Sequence, residues 1–213
     1  RTLRINLKSP RAALKHCSMH LAGDYAYAGR DVVVKKVLEI LGAKSLYEVH
    51  NHHNFAWREE HFGKKYWIIR KGCTPAYPEQ KGFVGSTMED ISVILEGVDS
   101  ARSKESLYST VHGAGRVMSR RKAAGKTKWV RGKDGIKRPM IVSKGLVNFP
   151  AVLKRIKRKG IELRGSGPDE APEVYKSLDQ VLEYHKDTIK ILHKLKPIGV
   201  AMAGLGVYDP YRD

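Results

Sequence analysis

The sequence predicts an α+β fold of mixed sheets with flanking helices. Three observations carry that expectation. Short β-rich runs, such as Tyr66-Trp67-Ile68-Ile69, Ile91-Ser92-Val93-Ile94-Leu95 and Ser109-Thr110-Val111, are interleaved with stretches of helical periodicity. Gly, Pro and Asp-Gly turn signals separate them. The order of the runs has no regular strand–helix–strand rhythm, which argues against a Rossmann-like sheet. At 213 residues the chain is long enough to bury a proper core, in one domain or two small ones.

Taken in order, residues 12–41 read as helical, with Gly42 as C-cap. Asp31 is a candidate N-cap for 31–41, where the run of valines leaves a strand as the alternative. If residues 46–57 are extended, His50 and His52 point one way and Asn51 and His53 the other. Residues 66–71 are a strand ending in two cations, and 72–78 a proline-fixed loop. In that loop Cys73 reads as a small packed residue. A glycine–hydroxyl loop at 82–90 leads into the strand 91–95, and 107–111 is a β lead-in to His112. Residues 127–145 form a basic hairpin turning at Asp134-Gly135, whose cations either track a phosphodiester backbone or form a solvated face. A basic amphipathic helix at 149–159 ends at Gly160, and 161–164 is a short strand. A long helix over 178–195, with Val181, Leu182, Tyr184, Ile189, Leu192 and Leu195 on its apolar side, stops at Pro197. A buried strand follows at 198–204.

Charge is the dominant global signal. Forty Lys and Arg against 22 Asp and Glu give a net +18, which predicts a polyanionic partner, most often nucleic acid, with salt-sensitive binding. Composition does not choose RNA over DNA. No apolar run approaches the roughly 20 residues of a membrane-spanning helix, so no membrane partner is expected. Residues 1–8 are basic but lack the apolar stretch of a signal peptide. The two cysteines, Cys17 and Cys73, make no disulfide framework, and a reducing, cytoplasmic setting is the expectation.

The chemistry concentrates at residues 107–126. His112 runs directly into Gly113-Ala114-Gly115, with Arg116, Arg120, Arg121, Lys122 and Lys126 behind it. Glycines let a backbone approach a ligand closely, and N–H groups backed by cations suit a phosphate. An imidazole there is placed to act as base, metal ligand or nucleophile, although an ordinary turn with a surface histidine has the same short pattern. The cluster His50-Asn51-His52-His53-Asn54 offers imidazole ligands for a transition metal or, equally, a polar strand end. Gly85-Ser86-Thr87 is a second loop of phosphate-binding composition.

Five segments, in this order, resemble motifs of the RtcB family of tRNA-splicing RNA ligases. They are Asn51-His52-His53-Asn54-Phe55-Ala56, Arg70-Lys71-Gly72, Gly85-Ser86-Thr87-Met88, the run from Val111-His112-Gly113-Ala114-Gly115-Arg116 to Arg120, and Asp169-Glu170-Ala171-Pro172. The resemblance implies the C-terminal portion of an RtcB-like domain, with a helical lead-in at 1–45 and a nucleotide- and metal-binding core at 46–213. The activity it implies uses GTP and Mn²⁺. RNA 2′,3′-cyclic phosphate or 3′-phosphate ends are joined to 5′-hydroxyl ends, the RNA being tRNA halves or broken RNA. By matching position, His112 is the histidine that becomes guanylylated and His53 a Mn²⁺ ligand. His53 and Asn54 lie at the nucleotide. Gly85, Ser86, Thr87, Met88 and Ser92 form the loop that holds it, Gly113, Ala114, Gly115 and Arg116 attend its phosphate, and Tyr175 packs on the guanine.

The departures are equally specific. Motifs of the DVGCGM, GNHF and HSGSRG type, which carry the family's other metal ligands, are absent. Ala203 stands where many members have lysine, Thr87 and Glu89 alter a GGSMGD-type loop, and 127–145 is an insertion. The expectation is therefore a ligase that needs an N-terminal half. The alternative is a non-catalytic RNA-binding or regulatory protein derived from such a ligase.

Overall fold

The computed structural model describes residues 10–204. The readings made on 1–8, and the ends of the 1–45 and 46–213 segments, lie outside them. The elements run α1 (Pro10–Leu41), β1 (Asn54–His61), β2 (Lys64–Lys71), β3 (Cys73–Pro75), β4 (Lys81–Val84) and β5 (Ser92–Gly97). Next come α2 (Ala101–Glu105), β6 (Ser109–Val111), α3 (Arg120–Ala124), β7 (Gly125–Arg131), β8 (Lys137–Lys144) and α4 (Phe149–Arg158). The chain continues with β9 (Glu162–Ser166), two 3₁₀ turns (Pro168–Glu170 and Pro172–Val174), α5 (Leu178–Glu183), β10 (Ile189–Leu195) and β11 (Gly199–Gly204). This is a mixed α/β fold with flanking helices. Among the described residues no helix is long and apolar enough to cross a membrane.

Helix α1 is one continuous element, so Asp31 sits in its interior rather than at an N-cap, and the valines after it are helical. Its end is as expected. Gly42 takes φ +61°, Gly42 N–H donates to Glu39 O (3.2 Å) and Ala43 N–H to Leu38 O (3.0 Å), the paired bonds of a Schellman cap. Gly23 lies so close under the Phe55 ring that an added Cβ would stand 2.7 Å from it, which is how the helix meets β1.

Strands β1 and β2 form a hairpin whose two turn residues, Phe62 and Gly63, both have positive φ, the twist-matching two-residue turn. Part of the loop expected at 72–78 is strand: β3 pairs antiparallel with β6, Cys73 opposite Val111. A three-stranded sheet runs β10-β5-β4, all antiparallel.

The helix expected over 178–195 is two elements, α5 and then β10. A register shift between Ile191 and His193 forms a bulge in the pairing with β5. The bulge breaks the strand's two-residue period and leaves Ile189, Leu192 and Leu195 three apart, a spacing that mimics a helix face. Strand β11 pairs in parallel with β9, but its residues alternate between exposed and half-buried, so the expected buried strand is covered on one side only.

Two apolar clusters hold these elements together. One joins Val84, Val93 and Leu95 of the sheet to Ala114, Leu178, Leu182 and Ile189. The other joins Met88 to Val152 and Ile156 of α4, with Ile161 and Ala171. The loop over 85–91 thus leaves one cluster at Val84 and is pinned in the other by Met88.

Candidate active site

His112 follows β6 directly, and His53 precedes β1. Gly72, at the end of β2, ties the two together: its N–H donates to His53 O (2.8 Å), and an added Cβ on Gly72 would lie 3.5 Å from His112 Nε2. The two imidazole rings stand 5.0 Å apart, both exposed. His53 is held below the ordinary imidazole range, first by burial and then by the charges of His112 and Arg30. It is therefore neutral near pH 7, the form that ligates a metal. Residues 50–53 are not a regular strand, yet the expected alternation holds. His50 and His52 both pack edge-on to Tyr27 of α1, with ring centroids 3.9 and 4.1 Å away, while Asn51 Oδ1 accepts from Phe83 N–H (2.9 Å).

Behind His112, Gly113 forms a bridge to Gly85, so close that an added Cβ would be 3.3 Å from the Gly85 carbonyl oxygen. The two glycine loops are therefore one unit. Within it Ser86 Oγ donates to Asp90 Oδ2 (3.2 Å), Asp90 Oδ1 accepts from Ile91 N–H (2.8 Å), and Glu89 N–H donates to Thr87 Oγ1 (3.4 Å). Two of the expected nucleotide residues turn their side chains elsewhere. Ala114 and Met88 are buried in the two apolar clusters, Met88 accepting a weak contact from Ser166 Oγ (4.0 Å). Their part is to anchor the loops. Ser92 opens β5 opposite Leu195, and Asn54 is exposed at the start of β1.

Gly115, at φ +77°, accepts from Lys176 N–H (2.9 Å), and Arg116 pairs with Tyr175 as an antiparallel bridge. The Arg116 guanidinium lies over the Tyr175 ring, 5.0 Å from its centroid. Its N–H groups donate to Tyr175 Oη (3.0 Å), Asp169 O (2.6 Å) and Met118 O (3.2 Å). Arg116, expected at a phosphate, is thus committed to holding Tyr175. The tyrosine hydroxyl donates in turn to Glu170, and burial together with that bond raises its pKa. Arg120 bonds Asp169 (3.0 Å) and Glu170.

Tyr175 and Thr87 line one cleft of about 320 Å³, with Glu89, Asp90, Lys159 and Lys176. Glu89 does not leave a bare negative charge there. Both of its oxygens accept from Arg155 Nε at 2.9 Å, and Lys159 Nζ stands 3.6 Å away. The cleft and the histidine pair sit at opposite ends of the run 112–115.

Sequence reasoning placed Arg70 in a cationic strand end and in a family-like Arg-Lys-Gly motif, but missed its part in the frame of the site. It is 1% exposed and donates to both Glu59 oxygens (2.6 and 3.0 Å), to Leu107 O (2.8 Å) and to Ser109 Oγ (2.9 Å). It thereby fixes the entry to β6, where Leu107 and Tyr108 both take positive φ. Burial raises the Glu59 pKa, but hydrogen bonds from Arg70, His61 and Tyr77 outweigh it and leave the carboxyl below its usual range. The Tyr77 hydroxyl, buried beside Glu59, is pushed up to about 12. An RKG motif is visible in sequence, whereas acceptors from two distant segments are not.

Among the described residues no group of three or more His, Cys, Asp or Glu is arranged to hold a metal ion. His53 supplies one neutral imidazole. The donors present do not by themselves make a Mn²⁺ site.

A family model described as "tRNA-splicing ligase RtcB" matches residues 3–203. The chain is 32% identical over 151 residues to the RNA-splicing ligase RtcB of Escherichia coli (strain K12), covering 71% of this chain and 31% of that protein. It is 34% identical over 217 aligned residues to the tRNA-splicing ligase RtcB of Archaeoglobus fulgidus, covering 86% of this chain and 40% of that protein. With the tRNA-splicing ligase RtcB of Pyrococcus abyssi the identity is 30% over 214 residues, 86% of this chain and 21% of the relative. The chain thus spans well under half the length of these relatives. A match running through nearly the whole chain, with the motifs in family order, makes this chain a member of the RtcB family.

Proposed function

We propose that this chain is the nucleotide-bearing, C-terminal portion of a GTP- and Mn²⁺-dependent RNA ligase. It joins RNA 2′,3′-cyclic phosphate or 3′-phosphate ends to 5′-hydroxyl ends once an N-terminal half is supplied. The observation that carries the reading is the juxtaposition of His53 and His112, rings 5.0 Å apart, at the head of the joined glycine loops. A His112 ring nitrogen attacks the α-phosphorus of the substrate GTP. A P–N bond forms, the bond to the bridging oxygen breaks, pyrophosphate leaves, and the ring proton passes to water. The run 113–115 supplies backbone N–H groups for the developing charge. Tyr175, clamped by Arg116 and Glu170, offers its ring to the guanine, and Lys176 gives the cleft a cation for the phosphates, Lys159 being shared with Glu89. His53 gives Mn²⁺ one ligand, and the missing donors come with the N-terminal half.

The test is covalent labelling with α-phosphate-labelled GTP and Mn²⁺, on wild type and His112→Ala, with and without the N-terminal half of a relative. The expected result is an acid-labile label that needs His112 and the added half. A folded chain that takes no label with the half present overturns the reading. A second reading, a non-catalytic RNA-binding or regulatory protein derived from such a ligase, is favoured by the incomplete donor set around His53. It requires RNA binding without labelling.

A further inference from the structure

We propose that the β7–β8 ribbon is a docking arm for single-stranded RNA, which it holds by phosphate contacts along its length and by base stacking on Trp129. The identity of the polyanion rests on the RNA-ligase reading, and the docking rests on the ribbon itself. From Gly125 to Lys144 the ribbon carries seven lysines and arginines against one carboxylate, Asp134. Among the described residues only Arg138 is ion-paired, with that aspartate (2.5 Å). Arg131 stands directly opposite Lys137 in the ladder, a like-charge pair that works against the hairpin's own stability. A polyanion lying on the ribbon turns that repulsion into attraction.

Apolar side chains are interleaved with the cations. Trp129 is 40% exposed, Met140 53% and Ile141 67%. Cations alone would serve a duplex, whose bases are stacked away. An exposed indole among them fits unstacked bases, since every base has a π-face.

The arm is tied to the candidate site at its base. Leu146 N–H donates to Lys122 O (3.0 Å) and Val147 N–H to Ala123 O (3.2 Å), across α3. Gly145 sits so near Ala123 that an added Cβ would fall 2.0 Å from its carbonyl oxygen. The same short helix carries Arg120, which bonds Asp169 and Glu170 beside Tyr175. A strand held on the ribbon is therefore led toward the cleft and the histidine pair.

The experiment uses the full chain and a fluorescein-labelled 15-residue oligouridylate, without GTP or Mn²⁺, by anisotropy across a salt series. The double variant Arg131→Gln/Lys137→Gln, on the face that carries Trp129, is expected to bind about fivefold or more weakly, with a log–log salt slope shallower by about 1.4. Trp129→Ala is expected to weaken binding about tenfold. Oligouridylate quenches the intrinsic fluorescence of wild type but not of Trp129→Phe, which reads the contact even if a variant is unstable. Retained affinity in a folded double variant, quenching that survives in Trp129→Phe, or absence of RNA binding by the wild type overturns the proposal. Equal binding of a 15-base-pair RNA duplex overturns the single-strand preference. Competition by polyglutamate at the same charge concentration would assign the ribbon to an acidic protein instead. Labelling of His112 with no ribbon effect sinks the arm alone, and ribbon-dependent binding with no labelling sinks the ligase reading alone.

Discussion

The imidazoles of His53 and His112 meet at 5.0 Å because the backbone of Gly72 lies between their parent segments. Gly72 binds the loop before β1 and leads into β3, the partner of the strand that delivers His112. At φ +75° it holds a conformation that side-chain-bearing residues adopt at a cost of about 1–2 kcal/mol. Gly72→Ala is expected to lose about that much stability in a urea titration. It is also expected to lose GTP labelling, because the new methyl faces His112 Nε2. Labelling at the wild-type rate in this variant would show that the spacing of the two rings is not critical.

Arg70 and Glu59 are a buried pair, 1% and 10% exposed at the side chain. Removing one partner of such a pair leaves an uncompensated charge in a dry environment. Arg70→Ala is expected to cost about 3–5 kcal/mol in chemical denaturation. Because Arg70 also holds Leu107 O, the loss should be accompanied by faster hydrogen exchange at residues 107–111. Stability unchanged within about 1 kcal/mol would remove Arg70 from the frame of the site.

Arg155 neutralises Glu89 at the mouth of the cleft. Arg155→Ala leaves the carboxylate facing an incoming polyphosphate, with Lys159 as its remaining cation. GTP affinity, read by titration of a fluorescent analogue, is expected to fall about fivefold, the scale of one unit charge at contact distance in water. Adding Glu89→Gln to that variant should restore it, and a double variant no better than the single one would rule out the charge as the cause.

Four histidines resist protonation in the folded chain. His50, His52, His53 and His185 are all held below the ordinary imidazole range by burial first, with Arg30 or Arg102 adding to it and His112 acting on His53. The unfolded chain takes up protons near pH 6.5 while the folded chain does not, so stability falls as the pH drops below that value. The urea midpoint is expected to decline steadily from pH 7 to pH 5.5. His185→Gln, remote from the histidine pair, should flatten that decline, and a midpoint independent of pH would contradict the sign.

Legibility in the sequence followed the range of the interaction concerned. Gly42, Gly160 and Asp134-Gly135 specify local backbone geometry, and their cap, helix end and hairpin turn stand where the residues predict them. The division of His50 and His52 from His53 was also legible, since a two-residue alternation survives in an extended loop. Strand β10 was not, because one bulge rewrote its period. Nor were the roles of Arg70 and Arg116, whose partners come from separate segments that only the fold assembles. Met88 and Ala114 show the converse: a motif names the loop, but packing decides which of its side chains turn inward.

The parallel pairing of β9 with β11 has a consequence for the cleft. Antiparallel neighbours close through a short turn, whereas this pair closes only after the chain has travelled through both 3₁₀ turns, α5 and β10. Tyr175, Lys176 and Ser177 lie on that excursion. Closing β9 on β11 therefore fixes both ends of the segment that lines one side of the cleft, and the still longer-range pairing of β10 with β5 anchors that segment from within.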